Sequence, residues 1–163
     1  LFDKGHVVKS LDVIESKLAG SIGMKTLDSS DMRYRPYYNN NDDGNEFLTA
    51  HGYNYHNGPE WLWPTGYYFR ASLLYRNSIT EKMKKMFANI KLALIYSPAF
   101  GLPELTNKDG EVCHGSCLTQ AWSIGCMLDV LYDNIHVVPE TDFLLFSDDN
   151  LSDISEPSSH FND

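Results

Sequence analysis

The stretch Gly101-Leu102-Pro103-Glu104-Leu105-Thr106-Asn107 places one carboxylate in a loop that is framed by glycine and proline, between two segments with helical spacing. A proline directly before an acid restricts the backbone at the entry to the loop and holds the side chain where a helix interior could not. The stretch therefore predicts a functional loop between two helices. Composition alone favours a simpler role for Glu104, in which it binds neighbouring backbone N–H groups, and both interpretations stay open at this point.

A second motif, HGYNYHNGPEWLWP at residues 51–64, combines aromatic rings, amides and an acid. Aromatic faces cover the apolar side of a pyranose, and amides and carboxylates bind its hydroxyl groups. We therefore predict a carbohydrate pocket with a common set of substrate-binding residues, His51, Asn54, Tyr55, His56, Glu60, Trp61 and Trp63. The competing interpretation is structural: an acid at a helix start stabilises the helix dipole, and paired tryptophans often belong to a core.

Apolar residues at helical spacing predict four helices, and no alternation typical of a strand stands out. The apolar positions are Val7, Leu11, Ile14 and Leu18; Tyr67, Ala71, Leu74 and Tyr75; Met83, Phe87, Ile90 and Leu94; and Trp122, Leu128 and Leu131. We expect Pro64 in the first turn of the second helix, Thr80 as the N-cap of the third, and the start of the fourth near Thr119. The predicted fold class is all-α, with the site on loops at helix ends.

Two segments lack this periodicity. Residues 20–62 are rich in Asn, Asp, Gly and Tyr, and a loop of this length is usually functional or disordered. Its aromatic residues argue against disorder. Residues 134–163 carry seven acids and no Lys or Arg after Asp133, which predicts an acidic, disordered tail. The chain therefore divides into a catalytic-domain part, residues 1–133, and a tail, residues 134–163.

The charge distribution excludes several classes of partner. The chain of 163 residues has a net charge of -9, but 15 acids and 13 bases precede the tail, so the body is nearly neutral. We expect no nucleic-acid and no membrane partner, because no basic patch and no apolar run of membrane-spanning length is present. Residues 1–19 show no signal-peptide pattern. The three cysteines favour reduced thiols and a cytoplasmic location, and the Cys113–Cys117 spacing lacks a second ligand pair, so no metal is expected.

Four motifs together resemble the C-terminal, amylo-α-1,6-glucosidase region of eukaryotic glycogen debranching enzymes. They are GMKTLD at residues 23–28, HGYNYHNGPEWLWP at 51–64, GLPELTN at 101–107 and CLTQAWSI at 117–124. The similarity runs from roughly residue 5 to residue 133, and the motifs are long and keep their order. The resemblance implies the C-terminal portion of an (α/α)6 toroid with a long aromatic loop. It also implies an enzyme that needs no cofactor.

The resemblance also implies a reaction. Such enzymes remove the single glucose left at a glycogen branch point with inversion, and their general base maps onto Glu104. The general acid of the family is an Asp upstream of this chain, so we expect residues 1–163 alone to be inactive. The implied partners are glycogen or another branched glucan and the remainder of the polypeptide. Two alternatives stay open: a noncatalytic glucan-binding or scaffold piece, and a glucoamylase-like enzyme, which the match at residues 51–64 disfavours.

Overall fold

The computed structural model describes residues 2–41 and 44–134. Within them the chain is helix-rich, with four α-helices and three strands of two residues each. The elements are α1 (Lys4–Lys17), β1 (Met24–Lys25), β2 (Glu60–Trp61), α2 (Trp63–Arg76), α3 (Glu81–Tyr96), β3 (Leu105–Thr106) and α4 (Ala121–Asn134). Short 3-10 helices cover Phe47–Gly52, Asn54–His56 and Lys108–Gly110. The predicted tail lies, from residue 135 onward, outside the described residues.

Local capping chemistry sets the starts of the helices. The Asp3 side chain accepts a hydrogen bond from the His6 backbone N–H at 2.9 Å before α1. Pro64 lies in the first turn of α2, as the sequence predicts. Thr80 caps α3, because its hydroxyl accepts from the Met83 backbone N–H at 3.2 Å. The predicted second and third helix starts are thus confirmed, and α4 begins two residues later than expected.

The core forms where α2 packs against α1 and α4. Phe69 of α2 is fully buried, and its ring centroid lies 4.5 Å from that of Phe87 in α3. The other buried apolar residues of this cluster come from all four helices and from the loops beside them, and they include Leu11, Leu62, Leu73, Met83, Met86, Ile90, Leu102, Met127 and Val130. The predicted apolar face of α1 is confirmed, because Leu11 is buried and its neighbours on that face pack against the core.

The predicted apolar faces of α2 and α4 are partly wrong. Tyr67 and Leu74 are 53% and 70% exposed, whereas the adjacent Tyr68 and Leu73 are buried. In α4, Trp122 and Leu128 are exposed, and Met127 and its neighbours face the core. Both helices carry apolar residues on more than one side, so periodicity alone does not select the side that is buried.

A glycine permits the close approach of α2 to α4. A Cβ atom at Gly66 would lie 2.5 Å from the carbonyl oxygen of Cys126, closer than real contacts allow. The two helix backbones therefore meet at Gly66, and this contact fixes how α4 lies against α2.

A half-buried polar cluster joins α1, α2 and the start of α3. The Oε2 atom of Glu15 accepts hydrogen bonds from Arg76 at 2.8 Å, from the Thr80 hydroxyl at 2.9 Å and from the Tyr68 hydroxyl. Burial acts to raise the pKa of Glu15, but these donors outweigh it and hold the pKa below its usual value. Tyr68, which is buried in the core, thus forms a tyrosine–carboxylate pair with Glu15.

The three strands form a small antiparallel sheet in the order β1-β2-β3. Met24 and Lys25 pair with Trp61 and Glu60, and these pair in turn with Leu105 and Thr106. Sequence reasoning did not predict this sheet, because two residues are too few to show alternation. The sheet brings the GLPELTN stretch beside the start of α2.

Candidate active site

Glu104 is held by the backbone on both sides of its peptide unit. Its N–H donates to the carbonyl oxygen of Cys117 at 3.0 Å, and its carbonyl oxygen accepts from the Leu62 N–H at 3.2 Å. The loop thus lies between the start of α2 and the segment that leads into α4. Glu104 is half-buried at this position, so its side chain is both fixed and accessible.

The Glu104 carboxylate receives two side-chain donors on one oxygen. The Tyr55 hydroxyl donates to Oε1 at 2.7 Å, and the Gln120 amide donates to the same atom at 3.2 Å. The amide oxygen of Gln120 accepts in turn from the Ser123 hydroxyl at 3.1 Å. Among the residues that the structure describes, Oε2 of Glu104 has no hydrogen-bond partner. The carboxylate therefore has one occupied oxygen and one available oxygen.

Tyr55 lies in a cluster of aromatic rings. Its ring centroid is 4.8 Å from Tyr38, 4.6 Å from His56 and 4.7 Å from Trp61. The Trp61 indole also donates to the Tyr55 carbonyl oxygen at 3.1 Å. Burial, and then the bond to Glu104, raise the pKa of Tyr55 well above its usual range. Tyr55 therefore stays protonated and acts as a donor to the carboxylate.

Two stacked indoles lie on the same side of the fold, at the starts of α2 and α4. The rings of Trp63 and Trp122 are 4.2 Å apart and nearly parallel, at 8°. Trp122 is 49% exposed and follows Gln120 by two positions. Trp63 directly follows Leu62, whose N–H donates to the Glu104 carbonyl oxygen. An open aromatic surface of this kind suits the apolar face of a sugar ring.

Glu60 has a different environment, because backbone N–H groups surround its buried carboxylate. They are the N–H groups of Ser21 at 2.7 Å, Ile22 at 3.2 Å and Gly23 at 3.4 Å on Oε2, and that of Asp109 at 3.1 Å on Oε1. Burial raises the pKa of Glu60, and these four bonds oppose the rise. A Cβ at Gly20 would lie 2.2 Å from the Glu60 carboxyl carbon, so only glycine fits there. Glu60 therefore joins β2 to the segment before β1 and to the 3-10 helix at Lys108–Gly110, and its contact with substrate stays a prediction.

The remaining predicted site residues occupy three settings. His56 is exposed and stacks on Trp61, with ring centroids 5.2 Å apart. Asn54 is buried; its amide donates to the Tyr37 carbonyl, and its Oδ1 has no partner among the described residues. His51 and Phe47 line a cavity of about 380 Å³. Glu104 does not line this cavity. The structure therefore brings Tyr55, His56 and the two predicted tryptophans near Glu104 and leaves His51 apart.

Three residues of the site were missed by sequence reasoning. Gln120, Trp122 and Ser123 all fall in the CLTQAWSI motif at residues 117–124. That motif carried the family resemblance, but nothing in a single sequence links Gln120 to a carboxylate 16 positions earlier. The available signal was the position of an amide at the entry to a helix, opposite a loop acid.

The cysteines lie near this site without forming a metal centre. Cys113 is buried, and its thiol donates to the Tyr38 carbonyl oxygen at 3.0 Å, whereas Cys117 is exposed. Burial raises the pKa of Cys113. In residues 2–41 and 44–134, no three His, Cys, Asp or Glu side chains lie close enough together to hold a metal ion. None of the helices in the described residues has the length and hydropathy that crossing a bilayer requires.

Comparison with known proteins identifies the family. Residues 1–129 match the family model for amylo-alpha-1,6-glucosidase. The chain belongs to this family. The glycogen debranching enzyme of Saccharomyces cerevisiae (strain ATCC 204508 / S288c) is 44% identical over 149 aligned positions, which cover 82% of this chain and 10% of that protein. The resemblance predicted from the four motifs is confirmed, and the chain spans about a tenth of the length of this curated relative.

The family match covers every part of the site described above. Tyr55, Glu104 and Gln120 all lie within residues 1–129, as do Glu60 and the loops around it. The two indoles lie in the matched range as well. In this family member, the carboxylate with two donors on one oxygen is therefore part of the shared domain rather than of the tail.

Proposed function

We propose that this chain is part of a glucosidase that hydrolyses α-1,6-linked glucose at the branch points of glycogen, with inversion, and that Glu104 is its general base. Membership of the amylo-alpha-1,6-glucosidase family and the name of the yeast relative support the substrate. One observation carries the role of Glu104: its Oε1 is held by Tyr55 and Gln120, and its Oε2 is available. A general base needs this combination of a fixed carboxylate and an accessible oxygen.

In this mechanism, Oε2 of Glu104 takes a proton from the water that attacks the anomeric carbon. A second carboxyl group protonates the leaving glycosidic oxygen. In inverting enzymes this acid and the base lie roughly 6.5–9.5 Å apart. We assign this acid to residues outside this chain. Glu60 is a poor candidate, because its two oxygens already accept four backbone hydrogen bonds and it is 2% exposed.

We assign substrate binding to the exposed aromatic residues near Glu104. His56, stacked on Trp61, presents an exposed imidazole that suits a hydroxyl group of glucose. Trp122, stacked on Trp63, presents an exposed indole face for a neighbouring sugar ring. Tyr55 is occupied by Glu104, and Asn54 is buried under the Tyr37 backbone, so both support this surface from below.

We also propose that the four helices are part of an (α/α)6 toroid. In such a ring, each helix packs against neighbours on both sides and the loops at one end form the site. The exposed apolar residues Leu74 on α2 and Leu128 on α4 support this arrangement, since they offer a second packing face.

The test of the proposed base is Glu104→Gln in the full-length protein. Glutamine keeps the size and the bonds to Tyr55 and Gln120, but it cannot accept the proton of water. We expect the rate of glucose release from a singly branched maltooligosaccharide to fall about 10²–10⁴-fold, with substrate binding largely kept. Glu111→Gln, an exposed change in the loop beyond β3, is the matched control. Near-normal glucose release by Glu104→Gln would exclude this role, and a wild-type protein that binds glucan but releases no glucose would indicate a noncatalytic binding module.

A further inference from the structure

We propose that Tyr55 and Gln120 are positioning residues that aim Glu104, by holding Oε1 so that Oε2 alone faces the attacking water. This inference rests on the proposed role of Glu104 as the base. The sequence motifs suggested that Tyr55 binds substrate, and the structure points to a different use of its hydroxyl group.

Two donors converge on one oxygen of Glu104. The Tyr55 hydroxyl and the Gln120 amide reach Oε1 from segments 49 and 16 residues away along the chain. The terminal torsion of a glutamate is broad, so an unsupported carboxylate rotates and presents either oxygen. Two donors from different directions on the same atom remove this freedom and select one orientation.

Packing against neighbouring rings fixes the position of Tyr55 itself. Three neighbouring rings, those of Tyr38, His56 and Trp61, lie within 5 Å of its ring centroid. The Trp61 indole binds the Tyr55 carbonyl, so the backbone is fixed as well. A donor that is held in this way transmits its position to the carboxylate, which is how a supporting shell orients a reacting group.

The side-chain amide of Gln120 also has a defined orientation. Ser123 is fully buried, and its hydroxyl donates to the Gln120 oxygen. The nitrogen of the amide must then point to Glu104, where it donates to Oε1. The Gln120 backbone N–H also donates to the Leu102 carbonyl at 2.8 Å, inside the GLPELTN stretch. Gln120 therefore moves together with the loop that carries the base.

The decisive variant is Tyr55→Phe in the full-length protein, which removes one hydroxyl and keeps the ring. We expect kcat for glucose release to fall about 10–100-fold, because a hydrogen bond to a charged group and the aim of the base are both lost. KM should change less than about twofold, since no substrate contact is removed.

The matched control is Tyr68→Phe, which removes the hydroxyl from the other tyrosine–carboxylate pair, in the core. We expect this variant to lower stability and to leave kcat unchanged. Gln120→Met, of similar size but without a donor, should also lower kcat with little change in KM, and by a smaller factor, because the bond from Gln120 to Glu104 is longer. It also keeps the proposal testable if Tyr55→Phe does not fold.

A double variant separates this proposal from the proposed function. If Tyr55 acts through Glu104, then Tyr55→Phe added to Glu104→Gln causes no further loss of rate, because the two residues act as a unit. Independent, multiplying losses would contradict the positioning role, as would a raised KM with unchanged kcat, which indicates a substrate contact. Failure of the base assignment has its own signature, since Glu104→Gln would then retain activity whatever Tyr55→Phe does.

Discussion

At the scale of residues, the two glutamates of the long motifs show how environment separates their roles. Glu60 is buried, and backbone N–H groups occupy both of its oxygens. Glu104 is half-buried, and side-chain donors occupy only one of its oxygens. Backbone donors that cannot move make a carboxylate a structural link between loops. Side-chain donors leave room for chemistry, because the second oxygen stays available.

The structural role of Glu60 is testable by Glu60→Gln. The new NH2 group faces the Asp109 N–H in one orientation and three N–H groups in the other, so at least one backbone donor loses its acceptor. We expect the free energy of unfolding to fall by about 1–3 kcal/mol. The measurement is the shift of the unfolding midpoint in denaturant. Glu46→Gln is the control, since Glu46 is exposed and its side chain caps nothing. Equal midpoints for the two variants would contradict the structural role.

The sequence singles out Glu104, which we propose as the base, but it does not predict the hydrogen-bond partners of Glu104. Glu104 stood out because glycine and proline frame it, a purely local signal. Tyr55 was recognised as part of a carbohydrate motif, but its bond to Glu104 joins positions 49 residues apart. The type of residue therefore suggested a pocket, and only the three-dimensional contact showed which atom Tyr55 serves. The burial of Glu60 under Ser21 and Asp109 was hidden for the same reason.

At the scale of elements, length decided what could be predicted. The helices have 14 to 16 residues, which is enough for apolar periodicity and capping signals to appear. Each strand has two residues, so its pairing depends on the rest of the fold. The buried side of α2 and α4 was also undetermined, because it depends on which neighbour a helix meets.

At two glycines of α2 and α4, substitution by alanine should change the stability of the fold in opposite directions. Gly66→Ala places a Cβ against the Cys126 carbonyl, and we expect a loss of about 1–3 kcal/mol from overpacking. Gly125→Ala meets no atom within 4 Å inside α4, so it should gain up to about 1 kcal/mol from helix propensity. Thermal unfolding of both variants beside the wild-type protein checks the pair. A stable Gly66→Ala variant would mean that the two helices lie further apart than described.

At the scale of the whole molecule, the exposed apolar side chains indicate a further packing surface. They include Tyr67 and Leu74 on α2, Ile95 and Tyr96 at the end of α3, Phe100 in the loop after it, and Leu128 and Tyr132 on α4. Exposed apolar groups on several elements favour contact with another part of a protein. The chain spans a tenth of the length of its yeast relative, and we propose that the remainder of such a polypeptide covers this surface.

Residues 1–163 alone should therefore release no glucose from a singly branched maltooligosaccharide. The proposed acid lies outside these residues, and both carboxyl groups must flank one bond. The measurement is glucose release by the purified chain beside the full-length protein, with circular dichroism to confirm that the chain has folded. Release at a comparable rate would place both carboxyl groups within this chain and would overturn the assignment of the acid.

The long separation along the sequence between Tyr55 and Glu104 also affects how the chain folds during its synthesis. The aromatic cluster around Tyr55 is synthesised 49 residues before the carboxylate that its hydroxyl binds. At about 5–20 residues per second, roughly 2–10 seconds pass before Glu104 is added to the nascent chain. During that interval the rings lack both Glu104 and the strand β3 that pairs beside them.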